Sequence, residues 1–250
     1  MPWTDALIVI AAGFAAGFIN VVAGGGSLIS LPLLIFLGLP PAVANGSNRI
    51  AIVMQNVSGA LGFRSKGVSA YPFSLRLGLS ALVGAALGAW IAVDLEGDTF
   101  NRVLAVAMVV MVLLIVFRPT KSGQALAERM DRKHRWISIG LFFFVGVWGG
   151  FIQAGVGLLI IAVLTTVNRF SLVKTNSAKV VVVLVYTSAA LLIFIWEGKI
   201  DWLYGSVLAV GNASGAWVAS RWSVDKGDQW IKVFLVVVVI AMAIRLWFFS

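Results

Sequence analysis

The chain has 250 residues, of which 60% are hydrophobic and 12% are charged, and its mean hydropathy is +1.00. Soluble domains carry about 25% charged residues, so this composition excludes an ordinary soluble protein and predicts one membrane domain over 1–250. There is no cysteine, and the single histidine, His134, lies in the most charged stretch of the chain. Metal centres and thiol or imidazole nucleophiles therefore lack their usual residues, and we predict neither an enzyme nor a cofactor.

Ten apolar segments follow one another along the chain, five in each half. They cover roughly 3–22, 27–38, 42–64, 71–93, 98–117, 136–154, 157–168, 171–196, 201–221 and 229–249. Most reach the roughly 20 residues that a helix needs to cross a bilayer. Segments 27–38 and 157–168 would span only about 18 Å as helices, and each follows a glycine cluster. We interpret them as half-helices that form broken or re-entrant elements with the preceding segment. The prediction is an all-α polytopic membrane protein with about eight to ten membrane segments.

The second half of the chain repeats landmarks of the first. The matched pairs are Gly17-Phe18-Ile19-Asn20 with Gly150-Phe151-Ile152-Gln153, Gly24-Gly25-Gly26 with Gly155 and Gly157, Asn45 with Asn176, Gly67 with Gly198, and Gly84/Gly88 with Gly211/Gly215. Most pairs are 131 residues apart. We define a first copy at about 3–117 and a second copy at about 136–249, joined by a connection at 118–135. Duplication in an apolar chain is typical of transporters whose site lies between two related halves.

The distribution of lysine and arginine predicts the orientation of the copies. The connection 118–135 is rich in basic residues, which places it in the cytoplasm by the positive-inside rule. Counting outward, the loop that carries Gly67 is cytoplasmic, whereas the equivalent loop with Gly198 is external. The two copies are therefore predicted to form an inverted repeat. Both chain termini are predicted to be external, whether the short segments cross the membrane or re-enter it.

The glycine clusters predict an anion site. Glycine lets the backbone leave a helix at little steric cost, and the half-helix that follows turns its unpaired N–H groups and partial positive charge into the protein. The candidate residues here are Gly24, Gly25, Gly26, Ser27, Gly155 and Gly157. The alternative is that these glycines only allow close helix packing.

Each copy also carries one cation on an otherwise apolar helix, Arg49 in the first copy and Lys179 in the second. A cation inside a membrane segment costs about 2.5 to 3.5 kcal/mol on insertion scales and by default marks a functional site. The alternative is that both side chains extend to an interface. The polar candidates for the substrate path are Asn45, Ser47, Asn48, Arg49, Asn176, Ser177 and Lys179, with Asn20, Gln55, Gln153 and Tyr186 as secondary candidates. Asn20 and Gln153 are equally suited to bonding the unwound backbone.

Acidic residues are confined to predicted loops and segment ends. No carboxylate is therefore expected at mid-membrane, where a proton or Na⁺ site is usually built. An anion leaving a cell that is negative inside is driven outward by about 2.3 kcal/mol per charge per 100 mV, so export needs no coupled ion. An anion channel and an importer remain alternatives. The expected partners are a small anion and membrane lipids, and nucleic acid is not expected because aromatic stacking positions are missing beside the basic loop.

Several of these residues also carry a family resemblance. The run VAGGGSLISLPLL from Val22 to Leu34, the following Pro40-Pro41-Ala42-Val43-Ala44-Asn45, and Gly67 resemble the TauE/SafE sulfite exporter family. Gly155-Val156-Gly157 and Gly198-Lys199-Ile200-Asp201-Trp202 look like the second half of the same family. The resemblance implies a permease for organosulfonates such as sulfoacetate, or for sulfite or thiosulfate, usually in a bacterial inner membrane.

Overall fold

The structure is a computed structural model that describes residues 1–116 and 127–224. Predicted segment 229–249 and the basic residues Arg118 and Lys121 of the connection lie outside the described residues. Within them the chain forms nine helices: α1 Trp3–Val22, α2 Ser27–Phe36, α3 Pro41–Ser65, α4 Phe73–Val93, α5 Gly97–Val116, α6 Arg132–Phe151, α7 Val156–Thr166, α8 Leu172–Trp196 and α9 Trp202–Trp222. The all-helical prediction is confirmed for this part of the chain.

The ends of several helices follow from local chemistry. Pro41 is the first residue of α3, where its missing N–H costs nothing and its fixed φ suits a helix. The hydroxyl of Ser171 accepts from the N–H of Lys174 at the start of α8, and the carboxylate of Asp201 accepts from the N–H of Tyr204 at the start of α9. Helix α6 begins four residues before the apolar segment predicted from 136, because the charged run from Arg132 to Arg135 is helical as well.

Four helices are long and apolar enough to cross a membrane: α1, α4, residues Gly97–Leu114 of α5, and α8. Helices α3, α6 and α9 are of similar length, 25, 20 and 21 residues. They are less apolar because α3 contains Arg49 and several amides, α6 begins with a basic run, and α9 contains Asn212 and Arg221. Length alone therefore suits seven of the described helices to span a bilayer.

The helices run in two opposite directions. Gly205 packs on Ser47 and Gly62 packs on Ser220, so α3 and α9 are parallel. Contacts of the same kind make α1 parallel to α9, and α6 and α8 parallel to α4. By contrast, Gly59 lies beside Val180, and Gly46 lies beside Phe194, so α3 and α8 are antiparallel. Helices α1, α3 and α9 thus run one way, and α4, α6 and α8 run the other way.

Charge separates the two ends of this bundle. The end where α1, α3 and α9 begin, called the acidic end, carries six of the eight described carboxylates: Asp5, Asp94, Glu96, Asp98, Glu197 and Asp201. The opposite, basic end carries ten cations: Arg64, Lys66, Arg76, Arg129, Arg132, Lys133, Arg135, Arg169, Lys174 and Arg221. Exposed tryptophans lie at both ends, with Trp3, Trp90, Trp196 and Trp202 at the acidic end and Trp136 at the basic end. This arrangement is the one expected of a protein with two membrane interfaces.

Each short helix, α2 or α7, runs back toward the end of the bundle where the helix before it begins. Two residues after α7, the amide of Asn168 donates to the carbonyl oxygen of Arg129, and its oxygen accepts from the Ser138 hydroxyl. The chain has therefore come back to the start of α6. In the first copy Gly26 packs on Ala16 and on Asn20, so the chain turns back along α1, and α2 leads to the start of α3 at the acidic end. Both short helices form helical hairpins with the preceding helix, the arrangement that re-entrant elements would have.

Candidate functional site

The two helix breaks meet in the interior of the bundle. The first break, residues 23–26, contains Gly24 with φ +86°, and the second, residues 152–155, contains Gly155 with φ +71°. A Cβ atom added to Gly24 would overlap the backbone of Gly157, and one added to Gly157 would overlap Gly24. Only glycine at both positions allows this approach. The structure thus brings together the two glycine clusters that the sequence singles out.

The N–H groups at the start of α2 lie outside the helical hydrogen-bond pattern. The first bonds of this helix run from the N–H of Leu28 to the carbonyl oxygen of Gly25 and from the N–H of Ile29 to that of Gly26. As at any helix start, the amides before them have no intrahelical acceptor. Those amides belong to Gly25, Gly26 and Ser27. They remain predicted contributors to an anion site.

Arg49 donates hydrogen bonds to the carbonyls at the end of α6. Its Nη1 donates to the carbonyl oxygen of Gly149 at 3.1 Å, and its Nη2 donates to that of Gly150 at 2.5 Å. Asn45, one turn earlier on α3, donates to the carbonyl oxygen of Phe151 at 2.8 Å and accepts from Arg49. The Arg49 side chain is fully buried. The last three carbonyls of α6, which carry the partial negative charge of the helix end, are therefore bonded by two residues of the first copy.

Lys179 donates a hydrogen bond to the end of α1 in the same way. Its Nζ donates to the carbonyl oxygen of Val21 at 2.8 Å and to Oδ1 of Asn176 at 2.8 Å. The amide of Asn176 donates to the carbonyl oxygen of Val22, the last residue of α1, at 3.1 Å. Lys179 is 2% exposed. The interfacial alternative considered for the two cations is therefore not the arrangement in the structure, where both are buried.

The two clusters are related by the repeat. In each, an asparagine and a cation on one copy bond the broken helix of the other copy. The asparagines match at 131 residues, but Arg49 comes four residues after Asn45 and Lys179 three after Asn176. Positions three and four residues along both lie on the same helix face. The mismatch of one position in the sequence therefore leaves both cations directed at equivalent helix ends.

The interior carries more positive than negative charge. Among the described carboxylates none is buried, and Asp5 and Asp201 are the only ones that are partly covered. Each helix end supplies about half an elementary negative charge. Arg49 and Lys179 bring two positive charges into the described interior, each beside a helix end. An anion is the kind of ligand that such charges attract.

Several other predicted residues hold loops and neighbouring helices. The Ser47 hydroxyl accepts from the N–H of Asp201, the Ser177 hydroxyl donates to the carbonyl oxygen of Val68, and Oδ1 of Asn48 accepts from the Ser30 hydroxyl. Oε1 of Gln55 accepts from the amide of Asn212. These contacts give each residue a structural role. Their part in binding a substrate stays a prediction.

One group of buried polar atoms has no such partner. Nε of Arg49, Oε1 of Gln153, Oη of Tyr186 and Oγ1 of Thr187 make no hydrogen bond of good geometry with the described residues, although the Tyr186 hydroxyl lies within hydrogen-bonding range of the Gln153 and Thr187 side chains. Thr187 is absent from the predicted site residues. It follows Tyr186 directly and aligns with Asn56 of the first copy, 131 residues earlier. The alignment of these two polar residues indicates Thr187 as a further candidate.

A separate surface cavity of about 520 Å³ lies at the basic end. It is lined by Phe73, Arg76, Met130, Asp131, Arg132, Arg135, Trp136 and Ile139. A hydrogen bond with His134, 2.5 Å long, holds the pKa of the Asp131 carboxyl below its ordinary value. Among the described residues no group of three His, Asp or Glu side chains is placed to hold a metal ion. This cavity is lined by none of the residues of the helix breaks.

Comparison with known proteins gives consistent results. The family described as "Sulfite exporter TauE/SafE" matches residues 9–246. The chain is 28% identical over 236 residues to "Probable membrane transporter protein ORF9" of a Sinorhizobium species, covering 94% of this chain and 89% of that protein. It is also 28% identical to a "Probable membrane transporter protein" of Haemophilus influenzae (96% and 93%) and to "Probable membrane transporter protein YfcA" of Escherichia coli K12 (92% and 85%). No solved structure gives a significant match.

Proposed function

The chain belongs to the TauE/SafE sulfite exporter family, a family of membrane transporters, and we propose that it is a secondary transporter of a small sulfur-containing anion. The proposed substrates are organosulfonates such as sulfoacetate, or sulfite or thiosulfate. The proposed location is the bacterial inner membrane. The observation that carries the anionic substrate is the pair of buried cations, Arg49 and Lys179, without a buried carboxylate among the described residues.

We further propose that the two copies form an inverted repeat. Helices α1 and α3 run opposite to their counterparts α6 and α8, and α4 runs opposite to its counterpart α9. The packing partners also exchange, since α1 packs on α9 as α6 packs on α4. An inverted repeat presents similar surfaces to the two sides of a membrane, which is the usual basis of alternating access by rocking of one repeat against the other.

The proposed path runs between the copies, past the contact of Gly24 with Gly157. Both helix breaks, both buried cations and the unpaired side chains around Tyr186 lie on this interface. We propose the basic end as cytoplasmic, in accordance with the positive-inside rule. Both ends of the chain are then external.

The proposed direction is outward. The described part of the chain has no buried carboxylate that would bind a coupling cation, and the membrane potential alone drives an anion out of the cell. Import of the same anions and a channel mechanism are the alternatives, and they differ in measurable behaviour.

The substrate class can be tested with the purified protein. Thermal unfolding would be followed with sulfite, thiosulfate, sulfoacetate, taurine, sulfate and a carboxylate such as acetate. Stabilisation by sulfur anions above that by acetate is expected, because a ligand that binds only the folded state raises its stability by mass action. Equal midpoints with all six compounds would contradict the proposed substrate class.

Transport in liposomes separates the mechanisms. A carrier that alternates between two states exchanges labelled substrate faster when unlabelled substrate is present on the far side, whereas an open pore shows no such stimulation. We expect stimulation. Its absence, together with uptake that remains proportional to concentration, would favour the channel.

A further inference from the structure

We infer that the unpaired polar atoms around Tyr186 form the subsite for the head group of the substrate, and that this head group is a monoanion. The ligand class is a sulfonate or a singly protonated sulfur oxyanion, in preference to a dianion such as sulfate. The inference rests on the proposed function, because it assigns the anion of that proposal to particular atoms.

The four atoms belong to one place in the molecule. The Tyr186 hydroxyl lies within hydrogen-bonding range of the side chains of Gln153 and Thr187, without good geometry to either, and it is near Arg49. Its ring packs against the Cα side of Gly149, and the carbonyl of that glycine accepts from Arg49. The exposed fractions of the four side chains are 0% for Arg49, Tyr186 and Thr187 and 3% for Gln153. The four side chains therefore form a buried cluster beside the second helix break.

Buried polar atoms rarely stay unpaired, because each has given up its bonds to water. Four such atoms in one cluster indicate a position where a partner binds that is not part of the described chain. Gln153 supports this view, since it is one of two non-glycine residues with a positive φ among the described residues, at +66°. A non-glycine residue in that conformation is often held so for function.

The chemistry of the cluster selects the ligand. Nε–H of Arg49 and the hydroxyls of Tyr186 and Thr187 are donors, so they suit the oxygen atoms of an anion. Oε1 of Gln153 is an acceptor and suits an O–H or N–H group of the ligand. A monoanion with one such donor satisfies all four atoms, whereas a fully deprotonated dianion sets an oxygen against the Gln153 carbonyl.

The equivalent position of the first copy is chemically different. Gln55 and Asn56 align with Tyr186 and Thr187 at 131 residues. Gln55 already accepts from Asn212, and Asn56 donates to the carbonyl oxygen of Ile52. Beside Gln55, the atom without a hydrogen bond is Oδ1 of Asn212. This oxygen is an acceptor, so it cannot donate a hydrogen bond to an anion. The proposed subsite is therefore single and lies at the second break.

The test combines binding and stability in the purified full-length protein. Isethionate, a sulfonate that carries a hydroxyl, is the main probe, and methanesulfonate and sulfate are compared with it. We expect isethionate to bind more tightly than methanesulfonate, and sulfate to bind weakest. Tyr186→Phe and Thr187→Val should each weaken isethionate binding about tenfold or more, the effect of losing a hydrogen bond to a charged group.

Stability without ligand distinguishes a binding role from a structural one. Neither hydroxyl makes a hydrogen bond of good geometry with the described residues, so Tyr186→Phe and Thr187→Val should unfold at the same temperature as the wild type or higher. Matched controls are Tyr204→Phe on α9 and Ser188→Ala, whose hydroxyl bonds the carbonyl of Leu184 on the same helix. Both controls should bind isethionate as the wild type does.

The possible failures differ. If no sulfonate, sulfite or thiosulfate stabilises the wild type, the proposed substrate class is wrong and the subsite with it. If the wild type binds isethionate and both variants bind it equally well, the subsite is wrong while the proposed function stands. Lower ligand-free stability in both variants would make the hydroxyls structural, and tighter binding of sulfate than of isethionate would overturn the preference for a monoanion.

Discussion

Arg49 and Gly150 are 101 residues apart in the chain, yet Nη2 of the arginine lies 2.5 Å from the carbonyl oxygen of the glycine. The arginine belongs to the first copy and the glycine to the last turn of a helix in the second. Lipid offers no hydrogen bonds to a broken helix. The contact with Arg49 therefore gives a carbonyl at the end of α6 a hydrogen-bond donor. Arg49 is thus a structural residue as well as a candidate for the substrate path.

Replacing Arg49 by methionine should destabilise the fold. The substitution removes two hydrogen bonds from a charged donor to carbonyls of α6, and we expect a loss of about 2 to 3 kcal/mol in the free energy of unfolding. The measurement is denaturant unfolding in mixed micelles. Arg102→Met, at an exposed arginine on α5, is the control and should change stability little. An unfolding midpoint for Arg49→Met equal to that of the wild type would show that these bonds do not stabilise α6.

Lys179→Ala should abolish transport. The ammonium group supplies one of the two buried positive charges and bonds the end of α1 through Val21. Lys174→Ala on the same helix is the matched control, because the Lys174 ammonium makes an exposed ion pair with Glu128 and lies over the ring of Phe170 at the surface, and exposed ion pairs contribute little. Uptake of labelled substrate into proteoliposomes, at equal protein content, is the measurement. Wild-type flux through Lys179→Ala would remove this residue from the site.

Gly157→Ala should unfold more readily than the wild type. A Cβ at this position overlaps the backbone of Gly24, which cannot move aside as a flexible side chain would. Gly140→Ala, in α6, adds a Cβ where no atom lies within 4 Å. That control should be neutral or stabilising by up to about 1 kcal/mol, because alanine favours the helix over glycine. Thermal unfolding of the two purified variants is the comparison, and equal midpoints would mean that the breaks are not in contact.

Single cysteines can test the inverted arrangement, since the natural chain has none. Ser69→Cys lies in the loop after α3, at the basic end, and Glu197→Cys lies in the equivalent loop after α8, at the acidic end. A maleimide that cannot cross the membrane should label only Glu197→Cys in intact cells. Labelling of both after cell lysis is the control for accessibility. Equal labelling in intact cells would rule out the opposed orientation of the copies.

The start of α6 should weaken in acid. The pKa of Asp131 is depressed in the folded protein by the hydrogen bond from His134, so its contribution to stability is complete above the ordinary carboxyl pKa of 3.8 and is lost as the pH falls through the lower folded value. The difference in unfolding temperature between wild type and Asp131→Asn should shrink as the pH falls below about 4. A difference that grows below that pH would give the shift the opposite sign.

The sequence alone predicts much of this fold because its signals are local. Apolar length marks the helices, and two glycine clusters before short segments mark the breaks at Gly24 and Gly155. A helix break needs glycine wherever it occurs, so it is visible without knowledge of the partner. The 131-residue repeat then pairs Asn45 with Asn176 without any structure.

The contacts of those asparagines could not be predicted in the same way. Asn45 bonds Phe151, 106 residues away, and no periodicity within either segment indicates which distant helix end it meets. The loop charges also do not distinguish a pair of segments that turns back from a pair that crosses twice, because both leave every later loop on the same side. Contacts between Asn168 and the start of α6 are what distinguish the two.

The bonds across the copies also bear on how the chain is made. Asn176, which bonds the end of α1, follows Val22 by 154 residues. At about 5 to 20 residues per second, a ribosome adds a stretch of that length in roughly 8 to 30 s. For that time the first hairpin lacks the partners that the finished protein gives it. The nascent hairpin therefore depends on some other source of hydrogen bonds, such as water in the insertion machinery, until α8 arrives.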